Sequence, residues 1–339
     1  MLDIINSLNL IRYLVVARTG HTLVTLADCF SRDISAVLGH YIADQLPSRE
    51  ARDWRKARAL WEANYGKNAP RSGKKDPSAL TSVPRAPWPI EVVFLPYPVK
   101  SDYGLDEPVL WEIKLLGTAA DHGLFLEYVL PALERAATQA CPCPVESKGF
   151  WGQFRIHAIY AARGLRWEPL VMGGELNLAY RPTPIQWAEG LTFTCADIYA
   201  PRNLAWLTPF DLGPEPVRSS RRRAIAAADV PTVEGLIHAL MQRVARLLPV
   251  KNATPDDVWA LLPAETQAPI WGKLNRLRNR TQLRLYDLHR PAQAWYGRWI
   301  GTETFAESTP PALVPYLELA SILHVGHFTH FGCGTFTLR

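Results

Sequence analysis

The sequence lacks the features that mark secreted and membrane-spanning proteins. No apolar run approaches the roughly 20 residues that cross a bilayer, and the first 20 residues hold neither a basic segment nor a small-residue cleavage site. Cysteine is scarce, with five among 339 residues, and an odd number suits reduced thiols better than a disulfide framework. We therefore expect a soluble, cytoplasmic protein with no membrane partner.

One close pair of cysteines stands at residues 141–143, which read CPC. A single residue separates the two thiols, and no second Cys or His pair follows at the spacing of a zinc finger. The pair is interpreted as part of a loop, and we expect no metal and no cofactor.

Charge is unevenly distributed along the chain. The net charge is +5, and residues 214–339 hold 15 Lys+Arg against 10 Asp+Glu, whereas residues 1–213 hold 22 of each sign. Arginine outnumbers lysine 28 to 9, and its planar guanidinium suits bidentate phosphate contact and stacking on bases. The excess favours a nucleic-acid partner modestly, since it can also simply aid solubility.

Hydrophobic periodicity predicts two copies of one fold. The first half reads strand, helix, strand, strand, helix, strand, which is the ferredoxin-like order. The second half repeats that order. The predicted elements of the first half are strand 10–17, helix 25–46, strands 90–97 and 109–117, helix 122–139 and strand 152–164. Those of the second half are strand 190–199, helix 232–250, strands 282–288 and 294–307, helix 310–326 and strand 334–338.

The predicted class is therefore α+β, with tandem ferredoxin-like (RRM-like) domains. Each is an antiparallel βαββαβ sheet with helices on one face. We place the first domain at residues 1–165, with a long Gly-, Pro-, Ser- and Lys-rich loop near 66–88. A linker is expected at 166–188, and the second domain at 189–339.

The chain is densest in glycine at its carboxyl terminus, where residues 324–334 read HVGHFTHFGCG. A glycine-rich loop between a helix and a strand lets backbone N–H groups approach phosphates, while aromatic and histidine side chains fit stacking on bases. The alternative is purely structural: Gly326 as a helix cap, with Gly332 and Gly334 as turn and bulge residues.

This loop resembles the carboxyl-terminal glycine-rich loop of the RAMP proteins of CRISPR systems, with His324 at the place of the first glycine. The longer run LELASILHVGHFTHFGCGTFTL resembles the end of the Cas6 family, the endoribonucleases that process precursor CRISPR RNA. Further stretches agree in order: SAVLGHYI with the family's first helix, RAPWPIEVVFLPY and LWEIKLLG with its first-domain strands, LAWLTPFDL with its T-P strand, and LMQRVARLL with its arginine-bearing helix. The loop departs from its relatives in one respect, since its spacer HFTHF carries histidines where a lysine or arginine is common.

The resemblance implies metal-independent cleavage of CRISPR repeat RNA to give mature guide RNAs. A 2′-hydroxyl would attack the adjacent phosphate and leave a 2′,3′-cyclic phosphate and a 5′-hydroxyl. Histidine suits the acid and base roles of such a reaction because it titrates near neutrality. The family's catalytic histidine lies near the first helix, which makes His40 the preferred candidate, His21 the second, and Tyr41 a possible positioning group.

For the RNA contacts we predict residues of the terminal loop and of basic segments in the second domain. The loop residues are His324, Gly326, His327, Phe328, His330, Phe331, Gly332 and Gly334. The basic residues are Arg221, Arg222, Arg223, Arg243, Arg276, Arg278, Arg280 and Arg284.

Two other functions stay open at this stage. One is a noncatalytic RAMP subunit, like Cas5 or the Csm4-type proteins, that holds the end of a guide RNA in a CRISPR effector complex. The other is an RNA-binding protein of the same fold that is unrelated to CRISPR. The expected partners are repeat RNA or mature CRISPR RNA, together with other Cas proteins of an effector complex.

Overall fold

The computed structural model describes residues 2–65, 88–97, 100–191, 201–213, 230–278, 285–292, 295–305 and 309–339. The chain divides into two compact units. One unit is formed by Asn9–Gly190, and the other by Met1–Leu8 together with Leu191–Arg339. No helix among the described residues is both long enough and apolar enough to span a membrane.

The unit of residues 9–190 is built around a six-stranded antiparallel sheet with helices packed on one face. Its strands are β1 (Leu10–Thr19), β2 (Val24–Thr25), β3 (Val92–Pro96), β4 (Asp102–Tyr103), β5 (Pro108–Leu116), β6 (Phe154–Arg163), β7 (Arg166–Met172) and β8 (Glu175–Leu176). With α1 (Leu2–Asn6) assigned to the other unit, its helices are α2 (Phe30–Gln45), α3 (Ala51–Tyr65), α4 (His122–Leu124) and α5 (Leu130–Thr138).

The sheet order β3-β5-β1-β6-β7-β8 contains the predicted ferredoxin-like arrangement. Its four core strands and the helices α2 and α5 follow the order βαββαβ, so the fold class expected from the sequence is confirmed. The central strand β1 alternates along its length: Ile11, Tyr13, Val15 and Ala17 are buried in the core between the sheet and the helices. This alternation is the pattern of period two that predicts a strand covered on one face.

The strands β7 and β8 occupy the segment that the sequence predicts as a linker. Residues 166–172 pair antiparallel with β6, and β8 pairs with β7 through Val171 and Leu176. Residues 166–176 of this segment therefore extend the first sheet. The sequence gives little sign of this because β7 alternates poorly: Arg166 and Pro169 are exposed, and Glu168 between them is half-buried.

The second helix of the βαββαβ order starts irregularly. Between α4 and α5 the chain makes one π-helical turn, Phe125–Val129. Pro131 lies in the first turn of α5, where its missing N–H cannot complete the hydrogen bonding of the preceding turn. The proline at 131 is thus accommodated by one wider, π-helical turn, and the helix continues after it as α5.

The second unit repeats the arrangement with a four-stranded sheet in the order β10-β11-β9-β12. Its strands are β9 (Asn203–Trp206), β10 (Leu285–His289), β11 (Ile300–Thr304) and β12 (Phe336–Leu338). Its longer helices are α6 (Val233–Leu247), α7 (Pro255–Ala260), α8 (Ala264–Arg278) and α9 (Val314–Leu323).

One part of the sequence-based prediction for this unit is not tested, and one differs from the structure. The first strand that the structure describes in this sheet is β9, within the run LAWLTPFDL, and the predicted strand at 190–199 falls almost wholly outside the described residues. The helices α7 and α8 are inserted between α6 and β10 and were not predicted. A capping box at Thr254 and Asp257 begins α7, and this pattern of Thr followed by an acidic residue three positions later could have revealed it.

Charged side chains lie on the face of the first sheet that points away from the core. The carboxylate of Glu112 on β5 accepts hydrogen bonds from Arg12 of β1 at 2.5 Å and from the hydroxyl of Tyr97 at 2.9 Å. Glu112 and Lys114 are only 1% and 3% exposed. Burial by itself raises the pKa of Glu112, but the charges of Lys114 and Arg12 and the two hydrogen bonds outweigh it and lower the pKa from 4.5 to about 2.

Replacing Glu112 by glutamine would remove a buried negative charge that interacts with both Arg12 and Lys114. We expect Glu112→Gln to lower the free energy of unfolding at pH 7 by about 3 kcal/mol, measured by urea denaturation. The control is Glu134→Gln on the exposed face of α5, which should change it by less than about 0.5 kcal/mol. Because the pKa of Glu112 is lower in the folded state, its stabilisation is present above pH 4.5 and is lost as the pH falls towards 2. A Glu112→Gln protein as stable as the wild type would contradict this account.

Candidate functional site

The carboxyl-terminal loop, residues 324–335, runs from the end of α9 to the start of β12. Backbone hydrogen bonds close it on itself, with the N–H of Val325 donating to the carbonyl of Gly334 at 3.0 Å. The N–H of Gly334 donates in turn to Pro209 at 2.9 Å, and the N–H of His327 donates to Asp211 at 2.9 Å. The loop is therefore fixed to the segment that follows β9, where the family-like T-P sequence lies.

His324 begins the loop in a conformation that glycine normally adopts. Its φ is 59° and its ψ is 127°, which strains a residue with a side chain. Its Nδ1 lies 3.1 Å from the carbonyl oxygens of both Gly332 and Cys333. Since carbonyl oxygens only accept, Nδ1 carries the proton and donates across the loop. The residue that replaces the motif's first glycine thus keeps the glycine-like backbone and adds a side-chain link.

Gly326 and Gly334 are required by both conformation and space. Their φ values are 89° and 85°, in the region that side chains rarely adopt. A Cβ on Gly326 would lie 2.5 Å from the carbonyl oxygen of Asp211, and one on Gly334 would overlap the carbonyl oxygen of Val325. The fold therefore requires glycine at both positions, which is compatible with a binding role for the loop they shape. The residue that caps α9 is His324, whereas the structural alternative assigned that role to Gly326.

Aromatic rings pack beneath the loop. The ring of Tyr296 stacks on Phe331 with centroids 4.2 Å apart and on Phe328 at 5.5 Å. Tyr296 and Phe331 are buried, whereas Phe328 is half-buried and has a left-handed backbone with φ 60°. Phe328 is thus the ring of this stack that is partly open to solvent.

The loop residues divide into a partly exposed turn and a buried remainder. Gly326, His327 and Phe328 are half-buried, and they form the accessible turn. His324, His330 and Phe331 are 0%, 2% and 0% exposed, so the structure does not favour the direct RNA contacts predicted for these three side chains. Gly332 and Gly334 are buried as well.

Positive charge beside the loop comes from the segment 290–298. The carboxylate of Asp211 accepts a hydrogen bond from Arg298 at 2.9 Å. Burial raises the pKa of Asp211, while the nearby charges of Arg298, His327 and Arg290 oppose that rise. Arg290 is exposed and stacks over the ring of Trp299, with 4.4 Å between its guanidinium carbon and the ring centroid. One carboxylate therefore sits among two arginines and a histidine, an arrangement that favours an anion at the exposed side.

The outer face of the second sheet carries small side chains on β9, on β12 and at residues 302–304 of β11. Leu204, Trp206 and Phe336 point inward and are buried. The alternate positions, which face outward, are Asn203, Ala205, Thr302, Thr304 and Thr337. None of these is aromatic, so they offer no ring on which bases could stack. On β10 the outward positions are Leu285, Asp287 and His289, of which His289 is an exposed aromatic ring at the end of the strand. The half-exposed Phe328 of the loop, with arginines beside it, is the better candidate for base stacking.

The other predicted arginines have mixed outcomes. Arg243 is 2% exposed, and its Nε donates to the carbonyl of Leu323 at 3.2 Å, so it stabilises the carboxyl end of α9 and does not face a ligand. Arg276 and Arg278 lie in the last turn of α8. The remaining ones, Arg221, Arg222, Arg223, Arg280 and Arg284, lie outside the described residues.

In the first unit, His40 is held by two charged neighbours. Its Nε2 lies 3.1 Å from the carboxylate of Asp44, one turn further along α2, and its Nδ1 lies 2.5 Å from Arg58 of α3. The guanidinium can only donate, so Nδ1 accepts and Nε2–H donates to Asp44. The His40 side chain is 13% exposed. This arrangement fixes the tautomer of the ring but engages both of its nitrogens.

The two other catalytic candidates have opposite environments. Tyr41 is 2% exposed, and its hydroxyl donates to the carbonyl of Gln139 at 2.7 Å, so it joins α2 to the end of α5 and is not available to a substrate. His21 is exposed in the turn between β1 and β2. The sequence did not single out Asp44, Arg58, Asp211, Arg290, Arg298 or Tyr296, because their partners are distant in the chain or lack a recognisable motif.

His324 offers a test of loop strain. His324→Ala keeps the positive φ and loses both hydrogen bonds, and we expect a loss of about 2 to 3 kcal/mol in the free energy of unfolding, measured by urea denaturation. His324→Gly loses the same bonds and the same ring volume but relieves the strain, so it should be more stable than the alanine variant by about 1 kcal/mol. An alanine variant as stable as the glycine variant would show that the backbone at residue 324 is unstrained.

Comparison with known proteins gives one family and several similar folds. Residues 204–336 match the family model described as CRISPR-associated endoribonuclease Cas6, and this range contains β9, the loop and the start of β12. No significant match is found among curated proteins.

The similar solved structures include two complexes that contain Cas6 fused to other proteins. A chain of a partial Cas6-RT-Cas1–Cas2 complex is 11% identical, with a TM-score of 0.52 and 98% of this chain covered. A chain of the Cas6-RT-Cas1–Cas2 complex has the same identity, TM-score and coverage of this chain. Only 46% and 29% of those two chains are covered, so the present chain spans less than half their length. Thermus thermophilus Cas6 is 12% identical with a TM-score of 0.41, covering 98% of this chain and 99% of its own.

At these identities the likeness of the first two structures concerns the fold alone, and that fold is the tandem ferredoxin-like arrangement described above. The family match adds the residues that build the loop. The match to the Cas6 family model is confined to residues 204–336, whereas the similarity of fold extends along nearly the whole chain.

Proposed function

We propose that this chain is an endoribonuclease that cuts CRISPR repeat RNA within precursor transcripts to release mature guide RNAs. The observation that carries the proposal is that the family match of residues 204–336 falls on a closed, glycine-shaped loop with basic side chains beside it. The accessible turn of that loop, Gly326 to Phe328, offers a half-exposed aromatic ring next to the Asp211, Arg290 and Arg298 cluster. Such a surface suits an RNA phosphate and an unstacked base.

The proposed chemistry is attack by a 2′-hydroxyl on its own adjacent phosphate, without a metal ion. It needs a group to take the 2′-proton, a group to protonate the leaving 5′-oxygen, and cations to stabilise the charge on phosphorus. Arg290 and Arg298 are the proposed sources of positive charge at the RNA backbone. His21, which is exposed, and His40, whose tautomer Asp44 and Arg58 fix, are the proposed proton-transfer groups. His40 must exchange one of these two contacts for a substrate contact.

The proposed partners are repeat RNA and the mature CRISPR RNA made from it, with other Cas proteins as a further class. The similar fold in the Cas6-RT-Cas1–Cas2 complexes supports an association of this kind. A second function is a noncatalytic subunit that holds the end of a guide RNA, in the manner of Cas5 or Csm4-type proteins. The engagement of both ring nitrogens of His40 favours this second function.

An assay of RNA cleavage in the absence of free metal ions tests the proposed endoribonuclease activity. We expect the purified chain, in EDTA, to cut an RNA carrying the repeat from a CRISPR array of its own genome at one position, leaving a 2′,3′-cyclic phosphate. A 2′-deoxy substitution at that position should abolish cleavage and preserve binding. His21→Ala or His40→Ala should slow single-turnover cleavage by about 100-fold or more with little change in affinity. His157→Ala, an exposed histidine on β6, is the control.

The outcomes separate the two functions. Tight binding without cleavage in EDTA or in Mg²⁺ would reject the enzyme and leave the RNA-end-binding subunit. Full activity in both histidine variants would retain the enzyme and reject the proton-transfer roles.

Substitution of Arg290 tests whether the RNA backbone binds beside the loop. We expect Arg290→Gln to weaken repeat RNA binding several-fold and to reduce the slope of log affinity against log salt concentration by about one unit, measured by filter binding. Arg166→Gln, at an exposed position on β7, is the matched control and should leave both unchanged. An unchanged salt slope in Arg290→Gln would exclude a phosphate contact at this residue.

A further inference from the structure

The CPC pair lies on the segment that connects α5 to β6, and its two thiols are in contact. The backbone N–H of Cys143 donates to Sγ of Cys141 at 3.3 Å. The thiol of Cys143 lies beside the same sulfur and 3.6 Å from the carbonyl oxygen of Ala36, to which it can donate. Both residues are half-buried. Because two residues of extended chain span at most ~7 Å, cysteines at this spacing stay close to the Cα separation of roughly 4.4 to 6.8 Å that a disulfide requires.

The surroundings of this pair favour a thiolate at Cys141. The hydrogen bonds from Cys143 and the positive charge of Arg58 lower the pKa of the Cys141 thiol, although partial burial opposes them. Arg58 is the same side chain that donates to His40, and Asp44 opposes it with negative charge. Within the described residues no three or more His, Cys, Asp or Glu side chains converge as metal ligands, so the pair does not extend into a metal site there.

The other described cysteines have the opposite environment. Cys29 and Cys333 are both 0% exposed, and burial raises the pKa of Cys29 to about 11. Such thiols are inert to small reagents. The described residues therefore hold one half-buried thiol pair, with a charge-stabilised member, and two buried cysteines that serve as internal references.

We propose that Cys141 and Cys143 form a redox-active dithiol that reacts with low-molecular-weight disulfides of the glutathione class. The Cys141 thiolate attacks one sulfur of the small disulfide, forming a mixed disulfide and releasing one small thiolate, which takes up the proton of the Cys143 thiol. The Cys143 thiolate then attacks the Cys141 sulfur and displaces the second small thiolate, which takes up from water the proton that Cys141 released when it ionised. Two protein thiols are oxidised to one disulfide, and the small disulfide is reduced to two thiols.

The proposal is tested by thiol chemistry on the full chain, independently of any RNA. Incubation with glutathione disulfide, followed by peptide mass mapping, should show a bond between Cys141 and Cys143 that dithiothreitol reverses, with Cys29 and Cys333 unmodified. Cys143→Ser should stop at a stable glutathione adduct on Cys141, whereas Cys141→Ser should form little adduct on Cys143. Brief alkylation with iodoacetamide should label Cys141 at least about ten-fold faster than Cys29.

A repeat of the labelling in urea supplies the control for the role of the fold, because the difference between Cys141 and Cys29 should disappear when the chain is unfolded. If Cys141 in the folded wild type labels no faster than Cys29, or if Cys143→Ser accumulates no adduct, the proposal is wrong. Formation of the adduct in Cys143→Ser without any bond in the wild type would also overturn it, since the resolving step would then be missing.

Discussion

The pairing of β12 with β9 is the constraint on which the candidate RNA-binding surface depends. This three-residue strand holds the end of the chain in the sheet, and the loop before it is hydrogen-bonded to residues 209–211, which follow β9. Ser321 and Thr335 add side-chain hydrogen bonds between α9 and the start of β12 at 2.9 Å and 3.0 Å. Glycine-rich backbone is conformationally free unless other contacts hold it. Because the loop lies between the helix α9 and the paired strand β12, its backbone is held in one conformation.

Buried charge is handled in contrasting ways in the two units. In the first, Glu112 is matched by Arg12 and Lys114, and the group is well enclosed, so its role is structural. In the second, Asp211 is also surrounded by cations, but Arg290 is exposed. When a carboxylate orients arginines at a surface, the guanidinium N–H groups that point away from it can donate to a bound anion. These arginines place beside the loop the positive charge that its own residues lack.

The sequence predicted the fold well because the hydrophobic pattern of each helix or strand depends only on residues that are close together in the chain. The alternation in β1 and the amphipathic pattern of α6 depend on neighbours two to four residues away. The resemblance of residues 324–334 to a known loop rested on a contiguous motif. What escaped prediction depends on residues far apart in the chain: Arg298 meets Asp211 across 87 positions of sequence, and Arg58 meets His40 from another helix. The burial of His330 could not be predicted either, because a short loop has no hydrophobic periodicity that would indicate which side chains point inward.

The strained backbone of His324 bears on how such loops are recognised in sequences. The loop needs a positive φ at this position, and glycine is only the commonest way to supply it. A side chain that can donate to two carbonyls across the turn tolerates the same conformation and supplies a fastening that glycine lacks. Sequence patterns that demand glycine at every such position will therefore pass over chains like this one, whereas patterns that also admit a residue able to fasten the turn will include them.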